Sequence, residues 1–253
     1  MRRSVAFRQA AGPNLPHKKE MSYTLHFAPD NASLIIRLAL EQLGLPYHTT
    51  LVDRAINAQR EPAYLALNPN GLIPVLETPQ GPLFETGAIL LWLGDRHGKI
   101  GVAPDHPARA DYLKWLFYIA NTLHPALRMM FYPDKYIPDD TAAQTALRQG
   151  LHGTIRSALH QLDALAANPP AGFNGTLPDA LQFYLAGCLR WCALYPTDTD
   201  RRWFDLNTSP ALAQMCTALE ARACTHALQS AEGLGATPFT APDYANPPQG
   251  SAT

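Results

Sequence analysis

The spacing of apolar residues predicts different structures for the two parts of this chain. Residues 23–27 alternate between apolar and polar side chains, as a half-buried strand does. From residue 32 to residue 43 apolar side chains recur every three or four positions, which predicts an amphipathic helix that ends at Gly44. A second strand is predicted over residues 47–52. These three elements make a βαβ unit.

Alternating elements continue to about residue 98. A short helix is predicted over residues 62–67, and two strands at 74–77 and 83–84 are joined into a hairpin by a Pro-Gln-Gly turn. Another helix is predicted over residues 86–96. The order of elements is β-α-β-α-β-β-α, which predicts an α/β domain over residues 21–98.

Helical periodicity dominates after a Gly- and Pro-rich linker at residues 99–107. Residues 108–235 are predicted to form an all-helical domain. Its predicted helices include residues 108–130, 141–167 and 210–220, with a short helix after them. A further helix is predicted to open at residues 176–179 and to carry Phe183 and Cys192. The terminal segments lack such a pattern. Residues 1–20 are predicted to be a disordered extension, and residues 236–253 an extended or disordered tail.

Composition argues against several classes of partner. Of the 253 residues, 47% are hydrophobic and 16% are charged, which is typical of a globular protein. The formal net charge of −1 gives no indication of a nucleic-acid or anionic-membrane partner. No apolar run is long enough to span a bilayer, and no apolar segment of a secretory signal follows Arg2-Arg3. We therefore expect a cytoplasmic protein.

The cysteines do not form a disulfide or metal pattern. All four lie in the C-terminal half and none is in a Cys-x-x-Cys pair: Cys188, Cys192, Cys216 and Cys224. Cys188 and Cys192, four apart on a helix, would have Cβ atoms about 5–6 Å apart, wider than the ~3.5–4.5 Å of a disulfide. We expect buried thiols. No metal is expected either, because no histidine or carboxylate cluster has metal-ligand spacing.

Residues 68–76, with the sequence Asn-Pro-Asn-Gly-Leu-Ile-Pro-Val-Leu, form the most informative motif. A turn runs into an apolar strand with Pro74 at its start, where a residue without an N–H does not interrupt a sheet. Such an X–Pro bond is a candidate for the cis form. A cis Ile73–Pro74 bond would turn the N–H and C=O of Ile73 outward, where they can pair with a bound peptide as an added strand does.

A second motif, Phe84-Glu85-Thr86-Gly87, predicts a strand end followed by a helix start. The first N–H groups of a helix have no acceptor within it, and the helix dipole places partial positive charge there. Such a helix start is suited to holding a carboxylate. Glu85 and Thr86 are therefore candidate ligand-binding residues.

Together these motifs resemble those of the glutathione transferase superfamily. The resemblance covers about residues 22–230, and the sequence Thr-Leu-Pro-Asp at residues 176–179 matches the capping box of the family's helical domain. It implies a thioredoxin-like N-terminal domain, whose element order is the one predicted above, then an all-helical domain. The resemblance also implies a homodimer, as is usual in the family.

The resemblance assigns roles at the glutathione site. In the family, a proline-led strand and a Glu-Ser or Glu-Thr helix start bind the glutathione main chain. This implies that Ile73 and Pro74 bind the backbone of glutathione, and that Glu85 and Thr86 bind the ammonium and the carboxylate of its γ-glutamyl end. Leu72 departs from the pattern, because many relatives have a lysine there that approaches the glycyl carboxylate. That end of glutathione then needs another cation or water.

The reaction of the family requires glutathione as a thiolate, and a free thiol, with a pKa near ~8.5, is mostly protonated at neutral pH. The loop at residues 28–33 leads into the first helix, where donors and the helix dipole favour the anion. Ser33 is the first candidate to donate to sulfur and Asn31 the second, with helix or turn capping as the alternative role of each. The main-chain N–H groups of Ala32 and Ser33 are a third candidate, and Tyr23 a fourth.

Ala32 stands where the bacterial beta class has the cysteine of its Pro-Gly-Ala-Cys-Ser-Leu motif. No mixed disulfide with glutathione is therefore expected at this position. The second substrate is expected between the domains, against the long helix after residue 107. His124 is a candidate to polarise or orient the thiol, and Tyr118 a candidate for an apolar wall, with structural roles as the alternative for both.

The leading hypothesis is a cytoplasmic glutathione transferase of the detoxification type. It would use glutathione as co-substrate and conjugate its thiolate to a small, partly apolar electrophile. The first alternative is a glutathione-dependent disulfide or peroxide reductase that uses a second glutathione in place of an enzyme cysteine. The second is a non-catalytic glutathione-binding or assembly protein on the same fold.

Overall fold

The computed structural model describes residues 22–252, and a four-stranded sheet forms the centre of the first domain. Its strands are β1 Tyr23–Phe27, β2 Tyr47–Leu51, β3 Val75–Thr78 and β4 Gly81–Phe84, in the order β2-β1-β3-β4. β1 pairs in parallel with β2 and antiparallel with β3, and β3 pairs antiparallel with β4. The predicted thioredoxin-like domain is thereby confirmed.

The helices of this domain follow the predicted order. They are α1 Ser33–Leu43, α2 Pro62–Leu65 and α3 Thr86–His97. α1 ends where Gly44 adopts φ 63°, a left-handed conformation that glycine reaches without a Cβ penalty. Two short 3₁₀ helices, Arg54–Ile56 and Ala58–Arg60, also occur between β2 and α2. No sequence pattern had indicated them.

The second domain is helical, as predicted. Its α-helices are α4 Arg109–Tyr118, α5 His124–Phe131, α6 Thr141–Ala167, α7 Asp179–Leu194, α8 Pro210–Glu220 and α9 Ala223–Glu232. A single hydrophobic core includes α1 and α3 of the first domain together with α7 and α9 of the second. Cys188, Cys192, Cys216 and Cys224 are buried free thiols in the second domain, as expected.

The predicted helix over residues 108–130 is continuous but not uniform. Between α4 and α5 the segment Ile119–Leu123 is a π-helical turn, and the N–H of His124 donates to the carbonyl of Ile119, five residues earlier. Pro125 explains the change, because it has no N–H to donate to a carbonyl four residues before it. The backbone accommodates the proline by widening one turn.

The capping box predicted at residues 176–179 is wrong. Pro178 is the N-cap of α7, and no side chain caps the helix. The carboxylate of Asp179 instead accepts two hydrogen bonds from Arg222, at 2.9 and 2.8 Å, and so ties α7 to the start of α9. A bidentate charged pair is stronger than a neutral capping bond.

The C-terminal tail has no regular secondary structure over residues 236–252, and it packs on both domains. Phe239 is buried in the shared core. A Cβ built on Gly250 would lie 2.7 Å from Leu51 and 3.4 Å from Pro29, so the tail passes close to the first domain. The predicted extension at residues 1–20 and the last residue of the predicted tail lie outside the described residues.

Candidate functional site

Strand pairing brings the three predicted site segments to one edge of the sheet. His26 of β1 is paired with Val75 of β3, and Val75 is paired with Phe84 of β4. The residues just beyond these pairs are therefore neighbours. They are the loop at residues 28–32, the Ile73–Pro74 peptide and the Glu85–Thr86 helix start.

The Ile73–Pro74 peptide is cis, as the motif predicted. The carbonyl just before it, on Leu72, accepts hydrogen bonds from Tyr64 Oη and Asn68 Nδ2, both at 2.8 Å. Within residues 22–252 the N–H and C=O of Ile73 have no hydrogen-bond partner. The segment is thus held by its neighbours, while one main-chain donor and one acceptor stay open for an added strand.

The helix start at Glu85–Thr86 also has open hydrogen-bonding groups. Glu85 is exposed and has φ 71°, an unfavourable conformation for a residue with a Cβ, and such strain concentrates at functional sites. Its carbonyl accepts the first hydrogen bond of α3, from Ile89 N–H at 2.9 Å. Across the described part of the chain, neither the Glu85 carboxylate nor Thr86 Oγ1 makes a hydrogen bond. The free N–H groups of the first turn of α3 lie beside them.

The two predicted thiol-activating side chains differ in what they already bind. Ser33 is fully buried, and its hydroxyl donates to the carbonyl of Ala28 at 3.0 Å. Its single proton is therefore in use. Asn31 is partly exposed, and its Oδ1 accepts from the N–H of Ala32 at 2.8 Å. That contact uses the oxygen of the amide and leaves its NH₂ group available to donate.

Sequence reasoning missed a buried ion pair that holds this loop. The Asp30 carboxylate accepts from Arg190 Nε at 2.7 Å and Nη2 at 2.9 Å, and both side chains are completely buried. Tyr195 Oη donates to Asp30 at 2.8 Å, and Trp191 Nε1 lies 3.2 Å from it. The loop after β1 is thereby fastened to α7. One signal of this ion pair was available, because Arg190 lies within a helix that is buried on nearly every face.

His124 lies next to this network, whereas no described contact joins Tyr118 to it. His124 Nδ1 is 3.0 Å from Tyr184 Oη, and its ring is 5.4 Å from that of Trp191. Burial lowers the pKa of His124 to about 4, with a smaller contribution from Arg128. Its imidazole is therefore neutral near pH 7. The ring of Tyr118 contacts Trp115 on the same helix.

Tyr23, the tyrosine alternative, points away from the site. Its hydroxyl lies 2.8 Å from His97 Nε2. His97 is the last residue of α3, whereas the candidate site lies at the opposite end of that helix. The Tyr23 side chain is completely buried there. Its observed role is to join β1 to the C-terminal end of α3.

Two further properties bear on the class of site. Among residues 22–252, no group of three or more His, Cys, Asp or Glu side chains is arranged to hold a metal ion. None of the helices described is long and apolar enough to cross a membrane. A thioredoxin-like domain with open main-chain groups before a proline, followed by a helical domain, is the architecture of the glutathione transferases.

Comparison with known proteins shows the family. A glutathione S-transferase N-terminal domain model matches residues 32–96. Over 214 residues, the chain is 30% identical to glutathione S-transferase GST-4.5 of Xanthomonas campestris, a match that covers 83% of this chain and 98% of that protein. The chain therefore belongs to the glutathione transferase superfamily.

Other members of the family differ in their named activities. The chain is 34% identical over 100 residues to maleylacetoacetate isomerase of Rhizobium meliloti, and 36% identical over 110 residues to the disulfide-bond oxidoreductase YfcG of Escherichia coli. These matches cover 47% and 51% of those proteins. A glutathione transferase homologue from Sulfitobacter, solved with bound glutathione, superposes with a TM-score of 0.69 at 25% identity, over 82% of this chain and 97% of that one.

Proposed function

We propose that this protein is a cytoplasmic glutathione transferase of the detoxification type that conjugates glutathione to small, partly apolar electrophiles. The observation that carries the proposal is the unpaired main chain of Ile73 beside the open N-terminus of α3. A γ-linked tripeptide has the two things this arrangement accepts, an extended backbone and a terminal carboxylate with an adjacent ammonium.

Each end of glutathione has a candidate partner. Thr86 Oγ1 and the first N–H groups of α3 receive the γ-glutamyl carboxylate, and the exposed Glu85 carboxylate receives the ammonium. Leu72 offers no charge for the glycyl carboxylate. Arg60 supplies it instead, because its guanidinium donates to the carbonyl of Asn70 at 3.2 Å, two residues before Leu72.

At the loop after β1 the thiol of glutathione gives its proton to water, and the thiolate stays bound there. Support for Asn31 as the direct donor comes from its available NH₂ group, while the hydroxyl of Ser33 holds the loop through Ala28. The sulfur then attacks the electrophilic carbon. With an aryl halide, a C–S bond forms and the halide leaves with the electron pair of its bond to carbon. No enzyme group is covalently modified.

A second candidate function is glutathione-dependent disulfide reduction, which the likeness to the oxidoreductase YfcG favours. One glutathione thiolate would attack a disulfide sulfur and release a thiolate. A second glutathione would attack the mixed disulfide and leave as oxidised glutathione, so that two electrons pass to the original disulfide. Ala32 is consistent with this route, because no enzyme cysteine takes part.

The experiment that tests the proposal measures binding and turnover separately. Millimolar glutathione should raise the thermal midpoint of the protein, and Thr86→Val should weaken this effect more than Thr154→Val, a matched change at an exposed position of α6. Faster turnover of an aryl halide than of a mixed disulfide supports the transferase, and the reverse order supports the reductase. Binding without turnover would indicate a non-catalytic protein, and no thermal shift would contradict glutathione binding.

The homodimer is proposed from two exposed apolar side chains and from the family. Ile56, 71% exposed, lies between β2 and α2, and Phe117, 52% exposed, lies on α4. A contiguous exposed apolar patch often marks a protein interface, and these two side chains would contribute to one. Light scattering during gel filtration should give twice the chain mass. Ile56→Asp should shift the protein toward the monomer if Ile56 lies in the dimer interface.

A further inference from the structure

Two cations from different domains contact one tyrosine ring. Arg54, after β2, donates through Nη2 to Tyr132 Oη at 2.9 Å. Lys135 Nζ lies 4.2 Å from the centroid of the same ring. Tyr132 is the residue that ends α5, so this arrangement joins the first domain to the helical domain.

A third cation, Arg128, lies one turn earlier on α5. Its guanidinium donates to Tyr136 Oη at 3.2 Å and lies 5.9 Å from the Tyr136 ring. The carbonyl of Arg128 accepts from Tyr132 N–H at 3.0 Å, so these two residues are one helical turn apart. We name Arg54, Arg128 and Lys135 the cationic cluster.

The cationic cluster has an excess of positive charge within residues 22–252. None of its three members forms an ion pair with a carboxylate in that part of the chain. Their hydrogen-bond acceptors are neutral: tyrosine hydroxyls and, for Arg54, the carbonyl of Ala252 as well. Burial lowers the pKa of Lys135, and Arg128, Arg54 and Arg60 lower it further, while Asp134 partly opposes the shift. The positive charges near Lys135 outnumber this one carboxylate, and a net positive charge attracts an anion.

Arg54 and Arg128 belong to elements that border the region expected for the second substrate. β2 is parallel to β1, and Val52 N–H donates to Phe27 C=O at 2.8 Å, so Arg54 follows its strand beside the loop after β1. Arg128 is four residues after His124 and therefore on the same face of α5. His124 packs on Trp191, which binds Asp30 of that loop.

We propose that the electrophilic second substrate is an anion, bearing a carboxylate or a similar oxyanion that the cationic cluster holds while the reactive atom points toward the loop after β1. This inference rests on the proposed transferase function and adds the substrate class. The neutral contacts to Tyr132 and Tyr136 orient the guanidinium groups, so that a planar carboxylate meets donors already in place.

The test compares a chlorodinitrobenzoate with the matching chlorodinitrobenzamide, which differ in charge but share the reacting carbon. Each kcat/KM is divided by the rate constant of the uncatalysed reaction with glutathione. The corrected value for the acid should exceed that for the amide roughly tenfold, which is the effect expected of one charged contact. Lys135→Gln and Arg128→Gln should each move this ratio toward one. The matched changes Lys114→Gln and Arg156→Gln, at exposed positions of α4 and α6, should leave it unchanged.

The outcomes separate this inference from the proposed function. Turnover of both halides with a ratio near one, or a ratio that the cluster variants do not alter, overturns the anionic substrate and leaves the transferase intact. If neither halide reacts, the transferase proposal fails. In that case the anion site is tested separately, by calorimetric measurement of the affinities for unreactive dinitrobenzoate and dinitrobenzamide. Tighter binding of the benzoate that Lys135→Gln abolishes supports it, and equal binding of the two overturns it.

Discussion

At the scale of single residues, Asn31 and Ser33 make opposite predictions for thiol activation. Asn31→Ala removes the amide that is available to sulfur, so the apparent pKa of bound glutathione should rise by about one unit, as expected for loss of a donor to the charged form. Ser33→Ala removes a buried bond to Ala28 and should cost about 1–3 kcal/mol of stability with little change in the thiol pKa.

The measurement is the ultraviolet difference spectrum of the bound thiolate as a function of pH, together with urea unfolding of each variant. If Ser33→Ala shifts the thiolate titration and Asn31→Ala does not, the assignment is reversed. If neither variant shifts it, the main-chain N–H groups at the start of α1 activate the sulfur.

The second residue-scale prediction concerns His124. Its pKa is about 4 in the folded protein and near ~6.5 in an unfolded chain, so the unfolded state binds more protons between these values. The stability contributed by neutral His124 is therefore complete above pH ~6.5 and is lost as pH falls toward 4. His124→Gln should make the free energy of unfolding less dependent on pH across this range. Urea unfolding at several pH values measures it, and an unchanged slope would contradict the lowered pKa.

Residues within a local motif were predictable, and residues in long-range contacts were not. Ile73, Pro74, Glu85 and Thr86 could be placed because a proline at a strand start and a helix start each have a local signature. The fixed pairing of β3 with β4 then brings them together. Asp30 could be placed only in the loop at residues 28–33, because its partner Arg190 is 160 residues away and no local pattern joins them.

At the scale of elements, the ion pair of Asp30 and Arg190 fastens the loop after β1 to α7. Asp30→Asn or Arg190→Met should each destabilise the protein by about 3–5 kcal/mol, because each leaves an uncompensated polar group in a dry interior. The double variant should lose less than the sum of the two. Chemical unfolding of the three variants gives the coupling energy. Lys114→Met, at an exposed ion pair, is the control and should have little effect.

Helix α5 illustrates what periodicity can and cannot predict. The spacing of apolar residues correctly predicted a continuous helix over residues 108–130, because the apolar residues on one side of this helix are buried in the core. It did not indicate the π-helical turn before His124, because periodicity does not register the missing N–H of Pro125. The wider turn sets the direction in which His124 and Arg128 project, so the chemistry of this face depends on a local backbone detail.

At the scale of the whole molecule, the two domains should unfold together. The sequence composition separates the two domains at the linker, yet one hydrophobic core extends through both. Arg37 of α1 also forms a buried ion pair with Glu232 of α9, at 3.0 Å. We expect a single thermal transition in which the fluorescence of Trp92 in α3 and Trp191 in α7 changes at the same temperature. Single-tryptophan variants measure this, and two separate midpoints would show that the shared core does not couple the domains.

The end of the C-terminal tail contacts residues of the first domain near the candidate site. We expect it to affect substrate binding more than the stability of the protein. Arg190 donates to the carbonyls of Pro238 and Asp243, and Asn246 N–H donates to the carbonyl of Gly233 after α9, so a chain ending at residue 247 keeps all three bonds. It loses the contact of Gly250 with Leu51 and Pro29, and the bond from Arg54 to Ala252. Arg54 then has one fewer fixed acceptor and should be less well oriented.

Removal of residues 248–253 should therefore raise KM for the electrophile severalfold, by the loss of one oriented contact, and leave KM for glutathione and the thermal midpoint nearly unchanged. Gly250→Ala is the matched subtler variant, because its Cβ would lie 2.7 Å from Leu51 and displaces the tail without deleting it. Steady-state kinetics should show a raised KM for the electrophile in both variants. A fall in the thermal midpoint with both KM values raised would instead mean that the tail supports the fold as a whole.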